Sequence, residues 1–437
     1  MAGARTLRIR NLRWVILGLL FLGTVLNYLD MQTLSVLAPK LMKELKMGPD
    51  AYARILETFL VAYLISFAFG GWILDKLGVR RGMALALVWW SVAAIAHGFA
   101  QNALHLMICR GLFGLAYPGA YLAAAKVVSE WYPAKERAMG TGAYTAGATV
   151  GATVAPILIA WLALSFGWRY AFVLTGSLGF IYLALWLIIY RPPEEHKWLT
   201  EDERSYILAG RECADPVAAE EVRSYPLMDI LRRRQFWAVA VGRMIGDNPW
   251  IFLVAFVPTF MSSAHGWDLV QIGRYLWIPF VFADLGSLGG GFISGQFIKR
   301  GMPVLRARLL LMACAALVLS FQFSLVYLSS TAWIIAVLSV MMLGATTWLV
   351  NIGTIPVDVF PKSVVGRVVG LTTSGSILGS LVFVPFVGNM LEAKNYMLLF
   401  GVMSALPPIA FIVARLLIGR LDGKACEETP PVAKVDV

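Results

Sequence analysis

The sequence predicts an all-α integral membrane protein with twelve transmembrane helices in two pseudo-symmetric six-helix bundles. Three observations predict it. Of 437 residues, 59% are hydrophobic and 14% charged, and the mean hydropathy is +0.72, outside the range of soluble globular chains. Apolar runs recur near the ~20-residue length that crosses a hydrocarbon core of about 30 Å. One string of residues also repeats at a fixed offset between the two halves of the chain.

The runs lie at 14–37, 55–74, 83–100, 103–129, 138–165, 168–190, 236–262, 272–298, 305–327, 331–358, 366–390 and 396–418. Lipid offers no partner to a free backbone group, and these runs exceed the alternating segments of barrel strands, so each is expected to be a helix. The first follows Arg5, Arg8, Arg10 and Arg13 as a secretory signal would. Its apolar part exceeds the ~7–15 residues of a signal core, so it is read as a retained helix.

The formal net charge is +11, but its distribution is one-sided. Of 37 Lys and Arg residues, 27 fall in the N-terminal segment, the even-numbered loops and the C-terminal segment, against 6 in the odd-numbered loops. By the positive-inside rule both termini are cytoplasmic, in a plasma or cell inner membrane. Basicity therefore orients the chain against lipid, and no nucleic-acid partner is expected. Cys109, Cys213, Cys314 and Cys426 show no metal-ligand spacing, and no nucleophile–base set is present. Neither cofactor, metal nor enzymatic activity is expected.

One long polar segment divides the chain six and six. The expected units are a bundle at 1–190, a cytoplasmic loop at 191–235, a second bundle at 236–418 and a disordered tail at 419–437. "EWYP" at Glu130 to Pro133 returns as "DVFP" at Asp358 to Pro361, and Gly142, Gly147 and Gly151 return as Gly370, Gly375 and Gly379 at the same offset. Small residues at such spacing let helices approach closely. Parallel six-helix repeats are the plan of a large transporter class that binds its cargo near mid-membrane.

Charged groups inside the runs stand out because each is costly in lipid and faces a protein interior or a watery path. Asp30 lies in the first helix and Arg110 in the fourth, each about 10 Å from the outer end, a depth that lets them pair. Arg243 and Asp247 stand four residues apart on one helical face, with Asp284 at comparable depth in the eighth helix. Each pair has a bland reading as simple neutralisation, and Arg274 and Lys126 as interfacial anchors.

Between the second and third helices stands "GGWILDKLGVRRG", Gly70 to Gly82. It resembles the signature loop of the major facilitator superfamily, with Asp75, Arg80 and Arg81 at the positions expected to latch one state of a gate. The second-half counterpart, "GGGFISGQFIKRG", has no aspartate. "SEWYPAKERA", "HKWLTEDERSYI", "RRRQFW" and "FADLGS" narrow the resemblance to the anion:cation symporter family, especially its hexuronate-transporter branch.

That resemblance implies a monomeric carrier that imports a small organic anion, a hexuronate or related sugar acid, with protons, by alternating access. The alternatives are a carrier of an aldonate, tartrate or aromatic acid, a proton-independent uniporter, or a non-transporting sensor. Many relatives have an arginine directly after the helix-one aspartate and a glutamate in helix four, where this chain has Met31 and Tyr117. For proton coupling the candidates are Asp30, Asp247 and Asp284. A sugar acid needs a cation, hydroxyl or amide partners and an aromatic face. The candidates for these roles are Arg110, Lys126, Arg243, Asn351, Thr373, Ser374, Tyr28, Tyr63, Tyr117, Trp250 and Trp348, each aromatic having packing as its bland alternative.

Overall fold

The computed structural model describes residues 9, 11–133, 136–210, 227–360 and 364–418, apart from the side chains of Ala68, Asp75 and Ala138. The gating assignment of Asp75, the part of the polar connection at 211–226 and the tail at 419–437 therefore lie outside the described atoms. The described chain is almost wholly helical. The first half holds α1 (Leu12–Glu44), α2 (Pro49–Leu77), α3 (Val79–His97), α4 (Ala103–Trp131), α5 (Arg137–Ser165) and α6 (Trp168–Ile189). The connection carries two short helices, α7 (Glu201–Gly210) and α8 (Leu227–Arg232). The second half holds α9 (Arg234–His265), α10 (Leu269–Lys299), α11 (Val304–Val326), α12 (Thr331–Val359), α13 (Val365–Glu392) and α14 (Tyr396–Ile418).

Eleven helices are long and apolar enough to cross a membrane by length and composition. The remaining long helix, α2, has charged ends around an uncharged stretch from Thr58 to Leu74. Several helices outrun their apolar runs: α1 continues to Glu44, and α2 starts at Pro49, where a proline's missing N–H costs nothing. Local chemistry sets other ends. The Asn102 side chain caps α4 by accepting from the His105 N–H at 2.9 Å, and Asp268 and Gln271 form a reciprocal capping box at the start of α10.

The run read as one seventh helix is interrupted. In α9 the regular helix stops at Gly246, Pro249 opens a short turn, and Phe252–Phe256 form a π-helical turn before the helix resumes. Proline removes a backbone donor, and a π-turn inserts an extra residue, so the C-terminal half of α9 is re-aimed relative to its N-terminal half.

Packing repeats between halves. In the first, α1 lies on α5, α2 on α4 and α3 on α6; in the second, α9 lies on α13 and α14, and α10 on α12. The duplicated glycines explain the α1–α5 and α9–α13 contacts. A Cβ on Gly147 would sit 2.5 Å from the Phe21 carbonyl oxygen and one on Gly151 2.5 Å from that of Val25. Gly375 meets the Ala240 carbonyl at 3.0 Å in the same sense, and Gly379 meets that of Met244. Only glycine lets the backbones come this close. Gly142 and Gly370 differ: no atom lies within 4 Å of where their Cβ would be.

The halves approach each other closely at the ends of the helices remote from Leu12 and Ile418. There Tyr52 of α2 donates to the Ala255 carbonyl of α9 at 2.8 Å, Gly388 of α13 abuts Ala53, and Gly273 of α10 abuts Ala160 of α5. At the opposite end α7 is fastened to the first half. The Glu203 carboxylate accepts from the N–H groups of Leu12 and Arg13 at 3.0 and 3.2 Å, capping α1 from a distant part of the chain. Arg13 pairs with Glu136 at 3.3 Å and lies over the Tyr206 ring, whose hydroxyl also donates to Glu136.

Candidate functional site

Where the two halves face each other, the first half presents a wall of aromatic rings. Tyr28 and Tyr117 stand 6.4 Å apart between ring centroids, Tyr63 and Tyr117 6.0 Å, and Phe59 and Tyr63 5.8 Å in a stacked pair. Tyr28 and Tyr63 are half-buried, whereas Tyr117 is buried with its hydroxyl 3.1 Å from the Met31 sulfur. The rings come from α1, α2 and α4, so no single helix encodes the wall.

Arg110 lies behind this wall. Its guanidinium is buried over Phe59 and Phe113 at 4.8 and 5.1 Å and donates to the Met31 carbonyl at 3.1 Å. The expected Asp30–Arg110 ion pair is not formed. Successive residues on an α-helix point about 100° apart, and Asp30 is turned toward α3 and α6. There it accepts from Trp90 Nε1 at 2.7 Å, with Thr175 alongside, and its Oδ1 has no hydrogen-bond partner. Asp30 is therefore held inside the first bundle, away from the aromatic wall.

The second half contributes a connected polar cluster. Arg243 Nε meets Asp247 Oδ2 at 3.0 Å, the helical pairing that the four-residue spacing predicts. Arg243 Nη1 donates to Thr373 Oγ1 at 2.8 Å, and Trp348 Nε1 donates to the other Asp247 oxygen at 3.3 Å. Asp247 sits where α9 breaks, and its own side chain is almost fully buried while that of Arg243 remains 17% exposed. Arg243 also lies within electrostatic reach of Tyr63 across the gap between halves.

Other candidates are distributed unevenly. Trp348 and Asn351 are fully buried; the first holds Asp247, and the second donates to the Thr347 carbonyl at 2.9 Å. Thr373 and Ser374 are half-buried beside Arg243, as is Trp250 on the broken segment of α9. Lys126 is half-buried nine residues beyond Tyr117 along α4, toward its C-terminal end. Asp284, half-buried on α10, faces Thr149 of α5 across the two halves.

Around the signature loop, Arg80 donates to the Leu187 carbonyl at 2.5 Å, placing a cation on the end of α6, and Arg81 is exposed. In the second half Ser294 occupies the place of the missing aspartate, and Arg308 bridges it, at 2.7 Å, to Asp358 at 3.1 Å. The carboxylate is thus supplied by the repeated "DVFP" string. Sequence reasoning missed this link, although Arg308 and Asp358 were visible as charges at helix ends. It also missed Phe59 and Trp90, which carry no signal beyond being aromatic in an apolar helix.

Two sets of six long helices, one bearing an aromatic wall and the other a buried Arg–Asp pair, are the architecture of a polytopic membrane carrier. The chain belongs to the Major Facilitator Superfamily, whose family model matches residues 20–384. It is 33% identical to the hexuronate transporter of Escherichia coli (strain K12) over 410 residues, covering 93% of this chain and 94% of that protein. It is 34% identical to the galacturonate transporter of Dickeya chrysanthemi, over 67% of this chain and 84% of that one. A probable L-galactonate transporter of Escherichia coli (strain K12) is 31% identical over 77% and 74%. Among solved structures, a bacterial homolog of the human lysosomal transporter Spinster, inward-facing and unoccupied, superposes with a TM-score of 0.75 over 94% of this chain and 98% of that one, at 17% identity.

Proposed function

We propose that this protein carries a sugar acid, a hexuronate first among them, across the cell inner membrane by proton symport with alternating access, both termini facing the cytoplasm. The observation that carries the reading is Arg243: a partly exposed guanidinium at a helix break, held by Asp247 and Thr373 and within electrostatic reach of Tyr63. Relatives covering most of the chain are named as hexuronate and galacturonate transporters, which supports the choice of cargo.

The mechanism follows from competition for that guanidinium. A substrate carboxylate that takes over Arg243 in bidentate fashion displaces Asp247, which is then a buried carboxylate without its cation. A proton neutralises it, and the two fluxes are linked because each event favours the other. Asp284, at the face where α10 meets α5, is a second place for a proton that senses the relative position of the halves. Thr373, Ser374 and the hydroxyls of Tyr28 and Tyr63 supply partners for sugar hydroxyls. Arg80 and Arg81 are assigned to gating with the signature loop.

The test is uptake of labelled glucuronate into proteoliposomes with and without an inward proton gradient. Gradient-dependent accumulation, blocked by unlabelled hexuronates and not by benzoate, is the expected result. No uptake under either condition by folded protein overturns the hexuronate assignment. The neutral Met31–Tyr117 contact favours one second reading, a proton-independent uniporter, for which uptake would equilibrate but never concentrate substrate.

A further inference from the structure

We infer that the corner between α8 and α9 binds an anionic phospholipid of the leaflet on the side of Leu12 and Ile418, its headgroup phosphate held between Arg232 and Arg234. The site lies apart from the gap between the halves and does not depend on the cargo. In the string "RRRQFW" the three arginines are equivalent. The fold makes them unequal. Ile230 and Phe236 are buried in one apolar cluster with Phe360, Val364 and Val368, which pins the corner where α12 gives way to α13. Arg233 is half-buried, its guanidinium 5.7 Å from the centroid of the Phe360 ring.

The backbone of Arg233 is extended, at φ −78° and ψ 126°. Side chains alternate between faces along an extended chain, so Arg232 and Arg234 leave on the face opposite Arg233. Both are exposed, and among the described residues neither has an ion-pair partner. Two free guanidiniums on one face are therefore presented by a fixed corner.

The surface beside them is apolar. Trp237 is 47% exposed, and its Nε1 donates to the Leu231 carbonyl at 2.7 Å. The polar edge of the indole is thus tied back to the end of α8, and the ring face is left to lipid. Trp237 stands one helical turn along α9 from the arginines, which sets them at headgroup level when the ring lies at the membrane interface. Leu227 and Met228 are also exposed, and Met228 lies one turn before Arg232 on the same face of α8. Guanidinium groups make charge-assisted hydrogen bonds to phosphate oxygens, and the apolar residues suit the chain that hangs from the headgroup. A dissolved anion would use the arginines and leave the apolar surface bare.

The experiment is thermal unfolding of the purified full-length protein in an uncharged detergent, titrated separately with phosphatidylglycerol, phosphatidylcholine and inorganic phosphate. Phosphatidylglycerol is expected to raise the unfolding temperature to a plateau, and the other two are not. Arg232→Gln and Arg234→Gln should each weaken the apparent affinity for phosphatidylglycerol about fivefold, and the double variant about thirtyfold, the scale set by cations near an anionic surface. Arg233→Gln should stay within about twofold of the wild type, because its side chain faces Phe360. Weakening by Arg233→Gln equal to that of its neighbours, or by neutralising the exposed Lys299 and Arg300 at the end of α10, would reduce the effect to general surface charge and overturn the site. Unchanged affinity in the double variant, stabilisation by phosphate as strong as by phosphatidylglycerol, or no stabilisation of the folded wild type by phosphatidylglycerol also overturns it. No arm of the test contains a sugar acid, so its result stands apart from the reading of the cargo.

Discussion

Tyr117 holds its hydroxyl 3.1 Å from the sulfur of Met31, so the two positions where this chain departs from the charged pattern of the family it resembles touch each other. Two independent losses of charge would leave the other member stranded in the membrane. A contacting pair changed together does not. A neutral hydroxyl–thioether contact stands where an arginine and a glutamate are common, with Arg110 donating to the backbone of Met31 beside it.

That arrangement predicts strong coupling between the positions. Met31→Arg should destabilise the protein by about 3 kcal/mol or more, because it buries a second cation beside Arg110, whereas Tyr117→Glu gains Arg110 as a counter-ion and should cost less. The double variant should recover most of that loss. Thermal unfolding of all four proteins in detergent closes the cycle, and additive effects would show that the two side chains do not interact in the membrane.

The duplicated glycines predict a split between equivalent positions. Gly151→Ala and Gly379→Ala drive a methyl group into the Val25 and Met244 carbonyls and should cost about 1–3 kcal/mol. Gly142→Ala and Gly370→Ala meet no atom and should leave the unfolding temperature unchanged. Equal effects at all four positions would mean that α5 and α13 do not pack on α1 and α9 as described.

Carboxylate substitutions should separate binding from coupling. Asp30→Asn removes a carboxylate that lies inside the first bundle and outside the Arg243–Asp247 exchange, and its amide oxygen still accepts from Trp90, so accumulation and downhill exchange should both be kept. Asp247→Asn removes the group that takes up the proton while leaving Arg243 open to substrate, and should lower gradient-driven accumulation tenfold or more, an amount equal to about 1.4 kcal/mol, while sparing downhill exchange. Proteoliposome flux measured in both modes distinguishes them. Loss of accumulation in the Asp30 variant, with downhill exchange spared, would move the proton site from Asp247 to Asp30.

The docked connection carries a pH dependence. His196 is buried; its Nδ1 accepts from the Trp198 N–H at 3.2 Å, which leaves Nε2 as the donor to the Ile189 carbonyl at 2.8 Å. Burial pushes its pKa below the ordinary histidine value, and the bond that Nδ1 accepts from Trp198 requires the neutral ring. Above about pH 6.5 neither state is protonated, and docking is unaffected. Below it the released segment binds a proton that the docked one does not, so the stability of docking falls with pH. Protease nicking between Lys197 and Gly210 should rise from pH 7.5 to pH 5.5, and His196→Ala should flatten that profile. A wild-type profile already flat would remove His196 as the cause.

Some of the site was legible because it is local. Arg243 and Asp247 are four residues apart on one helix, and helical geometry alone brings them together. The Gly147–Gly375 and Gly151–Gly379 pairs announced close packing by recurring at one offset, although nothing in the string separated them from Gly142 and Gly370. Asp30 and Arg110 failed as a pair for the opposite reason. Depth could be counted along each helix, but the direction each side chain faces depends on the rotation of the helix about its axis. Helices apolar on every side, such as α1 and α4, carry no strong stripe to set that rotation.

The sequence by itself determined the membrane class, the long apolar helices and the halving of the chain, because hydrocarbon thickness and the demand for internal backbone hydrogen bonds leave no other solution. Tertiary structure decided the rest. It turned Asp30 onto Trp90, placed Arg110 behind rings from two helices, broke α9 at Asp247 and seated Glu203 on the start of α1. Apart from the break in α9, each of these joins residues far apart in the chain, through contacts worth no more than many that the same sequence forgoes. Only simultaneous packing of all the helices selects among them.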